Sequence, residues 1–332
     1  MKTAVLSDGA WGTALALTLL ENNHQVTLWG PFADYIQEMQ TLRQNPRFLK
    51  GIDLPENLIL TASMSEAVEN AEIIVQASPV QYAREVISQL ADCYSEHSQI
   101  IVNVSKGIEN KSYKRMSEII TEFIPNSQYA VLSGPSHAEE VARQAPTAVV
   151  VASSCLQNAE KVRDAFMNAY FRVYTSDDVV GVELGGALKN VYAIASGIID
   201  GMELGDNAKA ALITRGIAEM ARLGRAIGGK SETFSGLSGI GDMIVTCTSS
   251  LSRNRHVGEE LGRGKKLSEI LDAMGMVVAE GVKTTLSAYN IAKKLNVETP
   301  IIDELHAGLY EDKDPLIGLR ELMTRKPKFE TE

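Results

Sequence analysis

The sequence predicts an α/β protein in two parts: a doubly wound sheet with flanking helices over residues 1–178, then an all-α domain over residues 179–332. Three observations carry this. Short, β-branched apolar runs alternate with helical stretches through the first half. A glycine-rich turn joins the first strand to the first helix. After about Asp178 the strand runs stop and apolar residues recur at helical spacing.

The elements follow in order. "TAVLS" is the first strand, Trp11 to Glu21 the first helix and "QVTLW" the second strand. Further strands are expected at "LILTA", "EIIVQAS", "QIIVNVS", "YAVLSGP", "TAVVVAS" and "FRVYTS". These runs are mostly apolar on both faces, as strands of a parallel sheet covered by helices on each side must be. Helices such as "YAREVISQLADCY" and "KRMSEIITEFI" lie between most of them. In the second half, Leu184, Leu188, Val191, Ala195 and Ile198 mark one face of a helix within "GVELGGALKNVYAIASGIIDG". "NAKAALITRGIAEMARLGRAIGG" follows, with Asn207 expected at its N-cap and Gly228 near its stop. Later helices are expected at "LSEILDAMG", "KTTLSAYNIAKKLN" and "IIDELHAGLYE". No linker composition separates the halves, so a broad contact between them is expected, and no internal repeat is evident.

At 332 residues, 45% of them apolar and 22% charged, the chain has the composition of a globular protein of about two domains. A net charge of −10 argues against broad nucleic-acid or anionic-membrane binding, so an anionic substrate needs a local basic cluster. No apolar run is long enough to cross a bilayer, and the early first strand leaves no room for a signal peptide. Cys93, Cys155 and Cys247 are widely spaced and odd in number, which fits a reducing, cytoplasmic setting. The five histidines show no metal-ligand spacing.

The turn after the first strand places Ser7, Gly9 and Gly12 at the three positions of a G-x-G-x-x-G fingerprint. Gly9 falls where a backbone must approach a pyrophosphate, and Gly12 where helix and strand must pack closely. Ser7 replaces the first glycine, which a serine tolerates if its φ stays negative. Trp11 reads equally as a cover for a cofactor or as packing against the sheet. The second strand ends in "LWGPF", with neither the acid that would bind the ribose hydroxyls of NAD nor an arginine for the 2′-phosphate of NADP. On that basis both cofactors are expected to work, with less than about tenfold discrimination.

Four further stretches carry candidate chemistry. "NVSKGIE" puts Lys106 beyond the end of a buried strand, where ligands of open α/β sheets bind, although a surface lysine reads as well on this stretch alone. "LSGPSHAEEVA" puts Gly134, Pro135 and Ser136 at another strand end before a helix start. "LGGALKNVYAIASG" sets Lys189 and Asn190 in an apolar helix: either the lysine snorkels to the surface, or burial lowers its pKa into the range of a general acid/base. "GLSGIGDMIVTCTSSLSRNRHVGEEL" carries Asp242, Thr246, Ser252, Arg253 and Asn254. Ser252 there is a candidate cap for a helix that would offer a dipole, free amides and a guanidinium to a phosphate.

Together, "GAWGTALA", "VSKGIE", "LSGPSHAEEVA", "GVELGGALKNVYAIASGIIDG", "NAKAALITRG" and "GLSGIGDMIVTCTSSLSRNR" resemble the bacterial NAD(P)-dependent glycerol-3-phosphate dehydrogenases, from the first strand through at least Glu280. The lysine–asparagine helix and the "SRNR" segment are specific to that family; the glycine loop is not. The resemblance implies a Rossmann domain, a helical domain, a homodimer and a site between the domains. It implies interconversion of dihydroxyacetone phosphate and sn-glycerol 3-phosphate for phospholipid synthesis, with no metal. By position it implies Lys189 as acid/base, with Lys106 and Asp242 in support. It implies substrate contacts from Lys106, Gly134, Ser136, Lys189, Asn190, Asp242, Thr246, Ser252, Arg253 and Asn254. It implies cofactor contacts from Gly9, Ala10, Trp11, Gly12, Lys106, Ala138, Arg253, Val278 and Glu280. Pro31 stands where the family often has a basic residue. Another two-domain hydroxy-acid dehydrogenase would share the plan, but "SRNR" favours a phosphorylated substrate. A non-catalytic nucleotide-sensing module would not need Lys189, Asp242 and Arg253 together.

Overall fold

The structure is a computed structural model describing residues 1–95, 99–275, 279–327 and 329–330. Among the described residues, ten strands occur before residue 177: β1 (Lys2–Leu6), β2 (Gln25–Trp29), β3 (Gln44–Asn45), β4 (Leu49–Asp53), β5 (Ile59–Thr61), β6 (Ile73–Gln76), β7 (Ile100–Asn103), β8 (Gln128–Ser133), β9 (Thr147–Ala152) and β10 (Phe171–Ser176). Eight of them form one sheet in the order β10-β9-β8-β7-β6-β1-β2-β5. From β1 the chain first builds outward through β2 and β5, then returns to place β6 on the other side of β1. That reversal is the switch point at which open α/β sheets bind ligands.

The sheet has a core on each face. Val5, Val75 and Val102 pack against the helices Ala10–Glu21 and Leu156–Phe166. Ala4, Leu6, Ile74 and Ile101 face the opposite way, towards helices Ala83–Ala91 and Met116–Phe123. β6 and β7 are buried along their whole length, as runs apolar on both faces require. β10 alternates buried and exposed residues because it lies at the edge.

The sheet is not wholly parallel, in contrast to the sequence expectation. β9 runs antiparallel to β8, and β10 is parallel to β9. The connection from β8 to β9 holds only the one-turn helix Ala138–Val141, too little chain for a parallel crossover. The sequence also did not suggest the antiparallel pair β3–β4, whose first strand spans two residues.

From Val179 onward the described residues form helices and turns, without strands. The long helix Val179–Gly201 is capped by Asp178, whose carboxylate accepts from the Gly181 amide at 2.8 Å. It crosses helix Arg253–Gly262 with glycines at the crossing: a Cβ on Gly197 would collide with the Arg255 carbonyl, and one on Gly258 with that of Ile194. The following helix spans Asp206–Ile227. Its N-cap is Gly205 rather than Asn207, which lies inside the first turn, and Gly228 ends it in a left-handed conformation, as expected.

The two halves are joined by polar contacts. Glu183 accepts from Arg115 Nη1 at 2.6 Å, the Ser117 amide at 2.8 Å and the Tyr129 hydroxyl at 2.7 Å. No helix of the described residues is long and apolar enough to cross a membrane.

Candidate active site

The site is built at the C-terminal edges of β1, β7 and β8, beneath the long helix of the second half. At β1, Gly9 caps helix Ala10–Glu21 without a side-chain hydrogen bond. The first amides of that helix are therefore offered to an anion. A Cβ on Gly12 would strike the Ser7 carbonyl, so the helix enters as close to the strand as a dinucleotide turn demands. Ser7 itself departs from the expectation: its φ is +143°, a conformation suited to the glycine it replaces. Its hydroxyl accepts from the Gly9 amide at 3.2 Å, which bridges the turn locally.

Trp11 packs partly buried against the sheet core, yet its indole Nε1 is buried without a hydrogen-bond partner. Asp8, which the sequence reading passed over, is 6% exposed, and its Oδ2 is also unpartnered. Burial raises its pKa above the usual carboxylate value, against the pull of its own backbone amide and of Arg47. Two orphaned polar atoms flanking a free helix N-terminus fit a bound dinucleotide.

The second group of residues is a buried charge cluster. Lys106 follows β7 and donates to the Gly134 carbonyl at 2.9 Å and to Asp242 Oδ2 at 2.5 Å. Lys189, on the long helix, lies 3.0 Å from Asp242 Oδ1 and donates to Thr246 Oγ1 at 2.7 Å. Thr246 in turn donates to the Asp242 carbonyl at 2.6 Å. Asp242 is delivered by a π-helical turn, Leu237–Gly241, a wide turn of a kind often found at functional sites.

Lys189 is 8% exposed, so it does not snorkel to the surface. Burial, with the neighbouring Lys106 charge, lowers its pKa to about 8, although Asp242 holds it up. For Asp242, burial favours the neutral form, but the two lysines outweigh it and keep the carboxyl below its ordinary value. The site thus holds a lysine whose proton is exchangeable near neutral pH, fixed by a carboxylate that stays ionised.

The third group surrounds the start of helix Arg253–Gly262. Ser252 caps it as expected, accepting from the Arg255 amide at 3.2 Å. Arg253 is exposed at this terminus, and its charge reaches the half-buried Glu280, whose pKa is raised chiefly by desolvation, against the pull of Arg253. Arg255 points elsewhere, to Asp200 at 2.6 Å. Asn254 and Asn190 are buried and bonded to each other at 2.9 Å. Asn190 also donates to the Lys106 carbonyl at 3.4 Å, and Asn254 accepts from the Gly281 amide at 2.8 Å. These asparagines therefore brace the site's walls.

Ser136 donates to the Gly134 carbonyl at 2.9 Å, and Ala138 opens the one-turn helix beyond. Val278 lies outside the described residues. His137 is an addition: its Nε2 is buried and unpartnered, and burial with the nearby Lys189 charge lowers its pKa. The only signal for it was its place inside "LSGPSHAEEVA".

Comparison with known proteins places the geometry in context. Residues 2–159 match the family model of the NAD-dependent glycerol-3-phosphate dehydrogenase N-terminus, and residues 178–319 that of the C-terminus. The chain is 51% identical over 332 residues to a glycerol-3-phosphate dehydrogenase [NAD(P)+] of Lysinibacillus sphaericus, covering 99% of this chain and 98% of that one. It is 49% identical over 330 residues to the protein of the same name from a Thermoanaerobacter species, covering 99% of each. The crystal structure of glycerol-3-phosphate dehydrogenase from Coxiella burnetii superposes with a TM-score of 0.94 at 39% identity, over 98% of this chain and 99% of that one.

Proposed function

Because the chain belongs to the NAD-dependent glycerol-3-phosphate dehydrogenases, we propose a specific division of labour among its cleft residues. The reaction is the interconversion of dihydroxyacetone phosphate and sn-glycerol 3-phosphate with NAD or NADP. The observation that carries the assignment is the Lys106–Asp242–Lys189 cluster, with both lysines on one buried carboxylate.

The cofactor would be held by the Gly9–Gly12 turn with Ala10 and Trp11, and by Lys106, Ala138, Arg253, Val278 and Glu280. Once bound there, it would supply or take up the hydride for the substrate's carbonyl carbon. As the ketone is reduced, negative charge grows on its oxygen. Lys189 stabilises that charge and gives the oxygen its proton; Lys106 adds a second positive charge. Asp242 keeps both ammonium groups in place. In the reverse direction neutral Lys189 takes the hydroxyl proton.

The phosphate is gripped at the capped start of helix Arg253–Gly262, by free amides and the Arg253 guanidinium. Gly134, Ser136 and Thr246 line the space between, and Asn190 and Asn254 hold its walls. Remote phosphate binding positions the ketone for reaction. The boundary between the dinucleotide and catalytic domains falls at residue 178. The enzyme works as a cytoplasmic homodimer and supplies glycerol phosphate for phospholipid synthesis.

The test is oxidation of NADH and NADPH followed at 340 nm (roughly the nicotinamide absorption band) with dihydroxyacetone phosphate and with its unphosphorylated analogue. Turnover that depends on the phosphate supports the reading. No oxidation of either cofactor would sink it.

A further inference from the structure

Gly30, the residue after β2, stands where dinucleotide-binding folds carry the acid that holds the adenosine ribose. It has no side chain, but its place is filled. A Cβ built on Gly30 would lie 2.5 Å from Asp8 Oδ2 and 2.8 Å from Asp8 Cγ. The glycine loop thus sends a carboxylate across to the end of the second strand, and a glycine there makes room for it. We propose that Asp8 is the reader of the adenosine ribose, accepting a hydrogen bond from the 2′-hydroxyl of NAD and repelling the 2′-phosphate of NADP. This rests on the dinucleotide-binding reading above and replaces the expectation of less than about tenfold discrimination between the cofactors.

Three observations carry it. Asp8 Oδ2 is buried and has no hydrogen-bond partner, a costly state that a hydroxyl donor relieves and a phosphate aggravates. The backbone of Asp8 is fixed: Asn45 donates to its carbonyl at 2.7 Å and to Thr13 Oγ1 at 2.8 Å, and Tyr35 donates to Asn45 Oδ1 at 2.6 Å. The nearby cation, Arg47, is committed elsewhere, 4.0 Å above the Tyr35 ring and 3.0 Å from Glu38. A 2′-phosphate would have to compete with these contacts for the guanidinium, which is half exposed. The β3–β4 pair is thus the support of a specificity residue.

The test is binding, by fluorescence titration of the full-length protein without substrate. Wild type is expected to bind NADH at least roughly tenfold more tightly than NADPH, and more tightly than 2′-deoxyadenosine NADH by a similar factor. Asp8→Asn should lower the NADH-to-NADPH preference by about tenfold or more, weakening NADH and strengthening NADPH. Equal affinity of wild type for NADH and its 2′-deoxy analogue would overturn the proposal without recourse to a variant. So would an unchanged preference in a folded Asp8→Asn protein. Binding of neither cofactor to wild type would remove the dinucleotide reading as well.

Discussion

Lys189 shows what a single side chain gains from its surroundings. In an apolar helix its sequence context left two readings open, and only burial decides between them. Asp242 is what makes that burial tolerable, since a paired buried cation costs far less than a lone one. The motifs made Lys189, Lys106 and Asp242 legible as candidates, because lysines in apolar or strand-end settings stand out. Asp8 was not legible: its partner position, Gly30, carries no side chain, and the two meet only through the strand pairing of β1 with β2. Ser7 was misjudged because a φ of +143° leaves no mark in the sequence beyond the glycine it displaces.

Arg253 carries the prediction of this scale. It is exposed beside a capped helix start and, among the described residues, forms no ion pair, although its charge acts on Glu280. A hydrogen bond to a charged group contributes about 1.5–3 kcal/mol. Arg253→Gln should therefore raise KM for dihydroxyacetone phosphate at least about tenfold, with a smaller loss for unphosphorylated dihydroxyacetone. Comparing kcat/KM for both substrates checks this. Equal losses would mean that Arg253 serves the cofactor or the fold.

At the scale of elements, the longer helices of the second half were legible from their spacing, but Asp242–Thr248 and Pro315–Met323 were not. The helix predicted over 301–311 runs Pro300–Tyr310, with proline in its first turn. What the sequence could not show is how its N-terminus is held. Glu219 reaches from helix Asp206–Ile227 and accepts from the Ile301 and Ile302 amides, each at 2.9 Å. Burial nevertheless raises its pKa from 4.5 to about 7, outweighing those two amides.

The sign follows from that rise. The folded state holds the proton more tightly than the unfolded chain, so the contribution is complete below pH 4.5 and is lost as the pH rises through about 7. Its size is on the order of 3 kcal/mol. The melting temperature of wild type relative to Glu219→Gln should therefore fall between pH 5 and pH 8 (roughly the ends of that window). A constant difference between the two proteins would show that Glu219 stays ionised throughout. The reversed β9 is the other lesson at this scale: its apolar run reads the same in either direction, and only the short connection behind it decides.

For the whole molecule, function depends on bringing a sheet edge and a helical domain together. The glycine turn and Lys106 come from the first part of the chain, Lys189, Asp242 and Arg253 from the second, and Glu183 helps to tie the two with its bonds to Arg115, Ser117 and Tyr129. The central claim is that Lys189, held on Asp242, moves the proton. Its direct test is kcat for dihydroxyacetone phosphate reduction across pH 6 to 10 (roughly two units either side of the Lys189 pKa), for wild type and Lys189→Ala, with NADH affinity measured separately. Because the reduction needs protonated Lys189, wild-type kcat should fall as the pH rises through about 8. Lys189→Ala should lower kcat by at least roughly 10²-fold, lose that pH limb and bind NADH nearly as wild type does. A variant that keeps near-normal kcat and the same pH limb, or that loses only NADH binding, would contradict the claim.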